Sequence, residues 1–167
     1  MSGTSFTLKM NVRCHELVAP LTALERDATL GFAAASEPGA AVAIAGGARI
    51  LHFAPGRWLI TEDALEREAD RIARLVAAGA TVIDGRAKWC RLELTGGAPR
   101  QLLSGLMPVE QVLGTRGCAA ASLLECPGVL AANGAALEFW VGRSWASWLH
   151  ETLEAWVKRR AALGCGA

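Results

Sequence analysis

The sequence predicts an α+β domain in which helices pack on an antiparallel β-sheet. Three observations lead to this fold class. Short segments with strand-like patterns outnumber those with helical spacing. Nearly every link between neighbouring strands is short, and short links join antiparallel strands. The helical patterns separate groups of strands, in the order strands, helix, two strands, helix, three strands, helix.

The stretch 82–106 shows this alternation most clearly. Its first two residues, Val82 and Ile83, form a short β-branched strand, and the Asp-Gly pair that follows supplies a turn. The residues from Trp89 to Thr95 then alternate in polarity with a period of two, which indicates a half-buried strand. A Gly-Gly pair ends that strand, and Pro99 begins a helix with leucines along one face.

The first half of the chain contains a hairpin and a helix. Two apolar runs, 48–53 and 57–61, flank a Pro-Gly turn, as in a β-hairpin. Thr61 is predicted to cap the helix that follows, and Gly79 to end it. Weaker patterns predict an edge strand over 6–16, a turn of helix over 21–24 and a strand over 41–45.

Three strands and a helix are predicted after residue 117. The strands cover 118–126, 129–132 and 136–141, with Pro127-Gly128 as the first turn and Asn133-Gly134 as the second. The last helix runs from about Ser144 to Leu163. Its apolar face is predicted to consist of Trp145, Trp148, Leu149, Thr152, Leu153 and Trp156.

Length and charge favour one soluble domain that spans residues 1–167, with a poorly patterned part over 1–47 and a well-patterned part over 48–163. The formal charge is +1, from 17 Lys and Arg against 16 Asp and Glu, and no extended basic cluster is present. Nucleic acid is therefore not an expected partner. No apolar run is long enough to span a bilayer, so no membrane is expected either.

The cysteines and the N-terminus point to the cytoplasm. The five cysteines are scattered without CxxC spacing, which favours free thiols in a reducing compartment over disulfides or a zinc site. Residues 1–11 lack the basic-then-apolar pattern of a signal peptide.

Five short motifs follow one another in a characteristic order. They are APGRWLI at 54–60, VIDGR at 82–86, LELTG at 92–96, GCA at 117–119 and VGRSWA at 141–146. In this order the chain resembles the gamma subunit family of heterotetrameric sarcosine oxidase, a family similar to a shortened folate-binding aminomethyltransferase fold. The chain departs from that family at Gly56-Arg57, where an acidic pair is usual, and at Gly85-Arg86.

The resemblance implies a non-catalytic subunit that supports an assembly. Such a complex converts sarcosine to glycine by oxidative demethylation, and alpha, beta and delta-type subunits are the implied partners. FAD, FMN, NAD, tetrahydrofolate and zinc are implied for those partners, and no cofactor for this chain. One alternative is a stand-alone module that binds folate or another small ligand, and another is an enzyme in its own right.

Asp84 and Arg86 are the candidate ligand-binding residues. The resemblance places Asp84 where the folate-binding fold often has an aspartate after a strand, so the pair could anchor a pterin or a partner loop. The alternative, favoured by the residues alone, is that Asp84 caps its own turn while Arg86 is solvated. Gly96-Gly97 before a helix could bind an anion, but it lacks a phosphate-binding fingerprint, and a plain turn is favoured.

The candidate partner-binding residues are Arg143, Trp145 and Trp148. Arg143 has no evident partner within the chain and could pair with a carboxylate of another subunit. Core packing is favoured for the tryptophan-rich face of the last helix, and docking of at least one tryptophan on a partner is the alternative.

No catalytic residue or metal ligand is predicted. The three histidines, His15, His52 and His150, are far apart in sequence. Cys14 and Glu16 are neighbours of His15 on a strand and therefore lie on its opposite face. Convergence of a histidine with Cys90 or Ser144 in space is the alternative left open.

Overall fold

The computed structural model describes residues 5–19, 35–44, 48–62 and 68–162. These residues form two five-stranded antiparallel sheets and four helices. The predicted α+β class with antiparallel strands is confirmed. The single sheet that the sequence predicts is in fact two sheets, which face each other and carry helices on their outer sides.

The strands and helices follow the predicted order, with one more helix than expected before the last three strands. In chain order they are β1 (Ser5–Lys9), β2 (Arg13–Val18), β3 (Ala41–Ala43), β4 (Arg49–Ala54), β5 (Arg57–Glu62), α1 (Glu68–Ala77), β6 (Thr81–Asp84), β7 (Trp89–Thr95), α2 (Pro99–Leu103), α3 (Val109–Leu113), β8 (Cys118–Leu123), β9 (Cys126–Asn133), β10 (Ala136–Gly142) and α4 (Arg143–Ala162).

The first two strands belong to different sheets. Sheet I has the order β1-β7-β10-β9-β8, and sheet II has the order β3-β4-β5-β2-β6. The single edge strand predicted over 6–16 is therefore wrong, because the chain crosses between the sheets at residues 10–12. Strand β1 is an edge strand, whereas β2 lies inside sheet II between β5 and β6.

Each sheet buries its outer face under helices. The outer face of sheet I carries Leu92, Leu94 and Phe139, which belong to one core with Leu149 and Leu153 of α4. The outer face of sheet II carries Ile50, Trp58 and Ile60, which form a smaller core with Leu75 of α1. Burial of these apolar faces is the main favourable term in the folding free energy.

The inner faces of the two sheets form a third core. Because side chains alternate along a strand, the residues between those of the outer cores point toward the other sheet. The sheets are also joined at one edge, where the backbone N–H groups of Gly117 and Cys118 donate to the Gly39 carbonyl at 2.8 and 2.9 Å. This inner core contains Cys14, Leu51, Phe53, Leu59, Trp89, Cys118, Val129, Ala131 and Trp140.

The turn between β8 and β9 differs from the prediction. It consists of Leu124 and Glu125, both with positive φ (49° and 67°), between the paired residues Leu123 and Cys126. The predicted turn residue Gly128 lies inside β9 instead. A Cβ on Gly128 would come within 2.3 Å of the Trp140 carbonyl oxygen, so glycine is required there for close strand packing.

The other two hairpins are confirmed. The Pro-Gly turn between β4 and β5 has Gly56 at a φ of 66°. Between β9 and β10 the loop consists of Gly134 and Ala135, one residue later than predicted, because Asn133 pairs with Ala136. Gly134 has a φ of 58°, as the first position of a type II′ hairpin turn requires.

Thr61 does not cap a helix as predicted. It is a buried residue of β5, paired with Cys14 on one side and Arg49 on the other. Pairing in the centre of a sheet outweighs the local capping signal. Helix α1 ends before Gly79, which has a φ of 87°, as expected. The helical turn predicted over 21–24 lies outside the described residues.

Candidate functional site

Asp84 and Arg86 form a closed turn at the end of β6. One Asp84 oxygen accepts a hydrogen bond from the Arg86 backbone N–H at 2.9 Å, and the guanidinium binds the carboxylate at 2.6 to 3.0 Å. The side-chain hydrogen bond from Arg86 lowers the pKa of Asp84 to about 2. Asp84 thus caps its own turn, as the residues alone favour, and Arg86 is paired instead of merely solvated. Ligand binding by this pair stays a prediction.

Arg143 has several partners within the chain, contrary to the expectation from the sequence. Its guanidinium donates to the backbone carbonyls of Met10, Arg86 and Ala87 at 2.9, 2.7 and 3.1 Å. It lies 3.4 Å from the side-chain oxygen of Asn11 as well. Arg143 therefore ties the start of α4 to the β1–β2 and β6–β7 connections, a structural role that the sequence does not reveal.

Trp145 and Trp148 are half exposed on α4, with 47% and 49% of their surface accessible. Their rings meet edge to face, with centroids 6.3 Å apart. The helix buries a neighbouring stripe against sheet I, formed by Ala146, Leu149 and Leu153. The prediction that both tryptophans belong to the core face is therefore wrong, and the surface of α4 carries an exposed aromatic pair.

An apolar cleft, which we call the Trp145 cleft, lies beside this pair and has a volume of about 400 Å³. Its aromatic walls come from Phe53, Trp89 and Trp145. Arg57 and Lys88 line it too, with their cationic groups 5.3 and 4.9 Å from the ring centroids of Phe53 and Trp89. The exposed tryptophan thus belongs to a larger surface of rings and half-exposed cations.

Glu16 is a buried carboxylate behind this cleft, with 1% of its side chain exposed. It accepts hydrogen bonds from Arg57 and Lys88, and from Trp89 Nε1 at 3.3 Å. Burial by itself raises the pKa of Glu16, but the hydrogen bonds from Lys88 and Arg57 outweigh burial and lower it. The carboxylate is therefore ionised at neutral pH and holds both cations in place.

Glu138 is a second buried carboxylate between the sheets and is completely inaccessible to solvent. It accepts hydrogen bonds from Arg49 at 2.9 Å, Asn133 at 2.8 Å and Trp140 Nε1 at 3.2 Å. Arg91 lies 3.6 Å away. The sequence pattern assigns no site role to either glutamate, although a charged residue within an apolar strand, as in ALEFWVG, is a signal that could have marked Glu138.

The cysteines and histidines do not form a reactive group in the described part of the chain. Burial raises the pKa of the Cys14 and Cys118 thiols to about 12, and it raises the pKa of Cys90 and Cys126 too. These thiols are protonated at neutral pH, whereas the thiolate is the nucleophile.

The three histidines are on separate elements. His15 is on β2 and His150 is on α4. His52, on β4, stacks on Trp58 at 4.5 Å and contacts the Ala35 carbonyl through Nδ1 at 2.8 Å. Among the described residues, no cluster of three His, Cys, Asp or Glu side chains could hold a metal ion. None of the described helices is long and apolar enough to cross a membrane.

Comparison with solved structures shows which known fold this chain shares. A chain of the heterotetrameric sarcosine oxidase from Corynebacterium sp. U-96, in complex with pyrrole 2-carboxylate, matches with a TM-score of 0.67 and 18% sequence identity. The match covers 92% of this chain and 85% of that chain. At this identity the likeness shows the fold alone, and it supports the α+β class.

A second solved structure matches more loosely. The regulatory subunit of aspartate kinase from Thermus thermophilus has a TM-score of 0.49 and 10% identity, over 93% of this chain and 98% of that chain. No protein-family model and no curated protein sequence matches the chain.

Proposed function

We propose that this chain is a non-catalytic, gamma-type subunit of a heterotetrameric complex similar to sarcosine oxidase. The observation that carries the proposal is the fold likeness to a chain of such a complex, which extends over 92% of this chain and 85% of that one. The two chains are thus of similar length, as expected for one small subunit compared with another. The ordered motifs in the sequence resemble the gamma family independently of that match.

The exposed surface of α4 supports a docking role. Tryptophan is enriched among the residues that dominate binding energy at protein interfaces, and it is costly to leave in water. Trp145 and Trp148 expose nearly half of their surface side by side, next to the apolar Trp145 cleft. We propose that this surface packs against a flavin-bearing subunit, which would bury both rings.

The proposal includes a non-catalytic role, which is supported by the described residues. The four described thiols are protonated, and the two buried glutamates are both held by cations. The resemblance to the gamma family is the basis on which we assign FAD, FMN, NAD, tetrahydrofolate and zinc to the alpha, beta and delta-type partners. We place the complex in the cytoplasm, because buried free thiols suit a reducing compartment.

The alternative from the sequence is a stand-alone module that binds folate or another small ligand. It depends on Asp84 and Arg86, whose side chains bind each other. No feature of that turn favours a ligand over the structural role that it already has, so the subunit role is the better supported of the two.

Affinity purification of the tagged full-length chain from its own cells tests the proposal. We expect it to elute in a complex with a flavoprotein that oxidises sarcosine. Replacing both exposed tryptophans, Trp145→Ser with Trp148→Ser, should weaken that association by about 30-fold, because interface tryptophans commonly contribute 2 kcal/mol or more. The amount of bound flavin per chain, read from its absorbance, measures the association.

Val76→Ser is the matched control. Val76 is 55% exposed on α1, away from the tryptophan pair, so its replacement also removes an exposed apolar side chain. It should leave the bound flavin unchanged. A wild-type chain that elutes without any flavoprotein would contradict the subunit role, and an equal loss in the control would contradict the assignment of the docking surface to α4.

A further inference from the structure

A second cleft, which we call the Arg91 cleft, opens where the chain crosses from sheet I to sheet II and has a volume of about 460 Å³. The β1–β2 connection, Thr61 and Trp140 contribute to its walls, together with three cationic side chains, Lys9, Arg13 and Arg91. None of the described residues that line it carries a carboxylate. Its volume falls within the range of roughly 300 to 1,000 Å³ that is usual for small-molecule sites.

Arg91 has hydrogen-bonding capacity that the protein does not use. Its side chain is only 12% exposed, and its guanidinium lies over the Trp140 ring, 5.5 Å from the centroid. Its Nε is buried without a hydrogen-bond partner among the described residues. A guanidinium carries five N–H donors, and those on the terminal nitrogens of Arg91 form no hydrogen bond with the described residues. Because Arg91 lines the cleft, these terminal donors can bind an oxyanion there.

Glu138 does not accept a hydrogen bond from Arg91. The nearest contact between the two groups is 3.6 Å, which is longer than a hydrogen bond. The oxygens of Glu138 are already taken by the shorter hydrogen bonds from Arg49, Asn133 and Trp140. The positive charge of Arg91 is therefore only partly balanced within the protein.

The other two cations differ in their pairing. Arg13 forms no hydrogen bond or ion pair with the part of the chain that the structure describes, whereas Lys9 pairs with Glu93 at 2.6 Å. Among the side chains that the structure describes near the cleft, four are cationic (Lys9, Arg13, Arg49 and Arg91) and two are carboxylates (Glu93 and Glu138), which leaves two net positive charges. This balance suits a small anion better than a polyanion.

Hydrogen bonds from α4 and β7 hold the cleft wall that the β1–β2 connection forms. Arg143 donates to the Met10 carbonyl at 2.9 Å, and the Cys90 thiol donates to the same carbonyl at 3.7 Å. The connection between β1 and β2 is thereby held to α4 and β7. A site whose walls are already ordered loses little conformational entropy when a ligand binds.

We propose that the Arg91 cleft binds a small molecule with a carboxylate or phosphate group. Arg13 and Arg91 bind the anionic group, and Lys9, which is 43% exposed, lies at the rim. This site is separate from the tryptophan surface of α4, and it does not depend on the subunit role proposed above.

Titration of the ¹⁵N-labelled full-length chain with inorganic phosphate, and separately with acetate, tests the proposal by NMR. Sodium chloride at matched ionic strength is the reference. We expect saturable shifts at the backbone amides of residues 10–13 and 91 with at least one of the two anions. Tighter binding of phosphate indicates a phosphoryl ligand, and tighter binding of acetate indicates a carboxylate ligand. Saturation by neither anion overturns the proposal.

Substitution of Arg13 shows whether the binding is specific. Arg13→Gln should weaken it about tenfold, the size expected for one hydrogen bond to a charged group. Arg100→Gln is the control, because Arg100 is a 42% exposed cation on α2 that does not line the cleft. Equal weakening in both variants would mean non-specific charge attraction and would overturn the proposal. If Arg13→Gln perturbs the fold, Lys9→Gln replaces it, with about threefold weakening expected.

Discussion

Each of the two sheets buries one glutamate toward the other sheet, and each carboxylate has two cations within 4 Å and accepts a hydrogen bond from one indole N–H. Glu16 belongs to sheet II, and its partners are Arg57, Lys88 and Trp89. Glu138 belongs to sheet I, and its partners are Arg49, Arg91 and Trp140.

The two glutamates differ in the exposure of their cations. The side chains of Arg57 and Lys88 around Glu16 are 46% and 48% exposed. Those of Arg49 and Arg91 around Glu138 are only 15% and 12% exposed. Exposed ion pairs are screened by water and contribute little, whereas a buried charge that loses its partner is costly. The ion pairs of Glu138 should therefore contribute more to the free energy of unfolding than the ion pairs of Glu16.

Both glutamates connect the two sheets. Arg49 of sheet II reaches Glu138 of sheet I, and Glu16 of sheet II binds the Trp89 indole of sheet I. The inner core is otherwise apolar, and apolar contacts do not by themselves fix one arrangement of two sheets. These directional contacts therefore help to set how the sheets lie on each other.

Removal of one cation from each glutamate should give the largest contrast. In Arg49→Met, the remaining described cation near the buried Glu138 carboxylate is Arg91, at 3.6 Å. We therefore expect a loss of about 3 to 5 kcal/mol in the free energy of unfolding. Arg57→Met leaves Glu16 bound to Lys88 and Trp89, and it removes a cation that is already half exposed, so the expected loss is about 1 kcal/mol or less. Methionine keeps most of the apolar stem in both variants.

Urea denaturation of the two variants measures this contrast. The transition midpoints should differ while the slopes stay alike, since neither substitution changes the surface exposed on unfolding very much. Equal losses of stability in Arg49→Met and Arg57→Met would show that the exposure of the cations does not control how much each ion pair contributes to the free energy of unfolding.

Removal of the indole donors should give a smaller contrast. Trp140→Phe deletes the N–H that binds Glu138 at 3.2 Å and leaves a gap where no solvent reaches, so we expect a loss of about 2 kcal/mol. Trp89 lines the Trp145 cleft, where water can replace its N–H, and Trp89→Phe should cost about 1 kcal/mol. Thermal unfolding of both variants checks the order, and a reversed order would contradict the comparison.

Local patterns were sufficient to predict most of the elements from the sequence. Strand β7, the β4–β5 hairpin and helix α4 all follow from periodicity and turn chemistry in a short window. Thr61 shows the limit of that approach. A threonine before acidic residues fits a helix cap and a strand end equally well, and the pairing of β5 with β2, which lies more than 40 residues earlier in the chain, decides between them.

The burial of the candidate sites could not be predicted in the same way. Alternation along β10 shows that Glu138 and Phe139 face opposite sides, but not that a second sheet covers the Glu138 side. Likewise, helical spacing allows several adjacent stripes on α4, and contact with sheet I selects Ala146 and Leu149 over Trp145. Which face of a strand or helix is buried depends on contacts between residues that are distant in sequence, and a local pattern does not reveal those contacts.

The smallest expected effect is the pH dependence at Glu16. Its pKa is lowered in the folded protein, because the hydrogen bonds from Lys88 and Arg57 outweigh the effect of burial. In the unfolded chain a glutamate titrates near its ordinary pKa of about 4.3. The unfolded state therefore binds more protons between the two pKa values, and the stabilisation from Glu16 is present above about pH 4.3 and is lost as pH falls through the folded pKa.

Glu16→Gln tests this dependence. The variant should be about 1 kcal/mol less stable than the wild type at pH 7, since the two cations that it releases are half exposed and become hydrated. The difference should close as the pH falls below about 4.3, because protonated Glu16 also loses its ion pairs. Urea denaturation of both proteins between pH 7 and pH 3 measures the difference. A gap that stays constant over this range would mean that the charge of Glu16 contributes nothing, and that its site, unlike the Glu138 site, is maintained by packing alone.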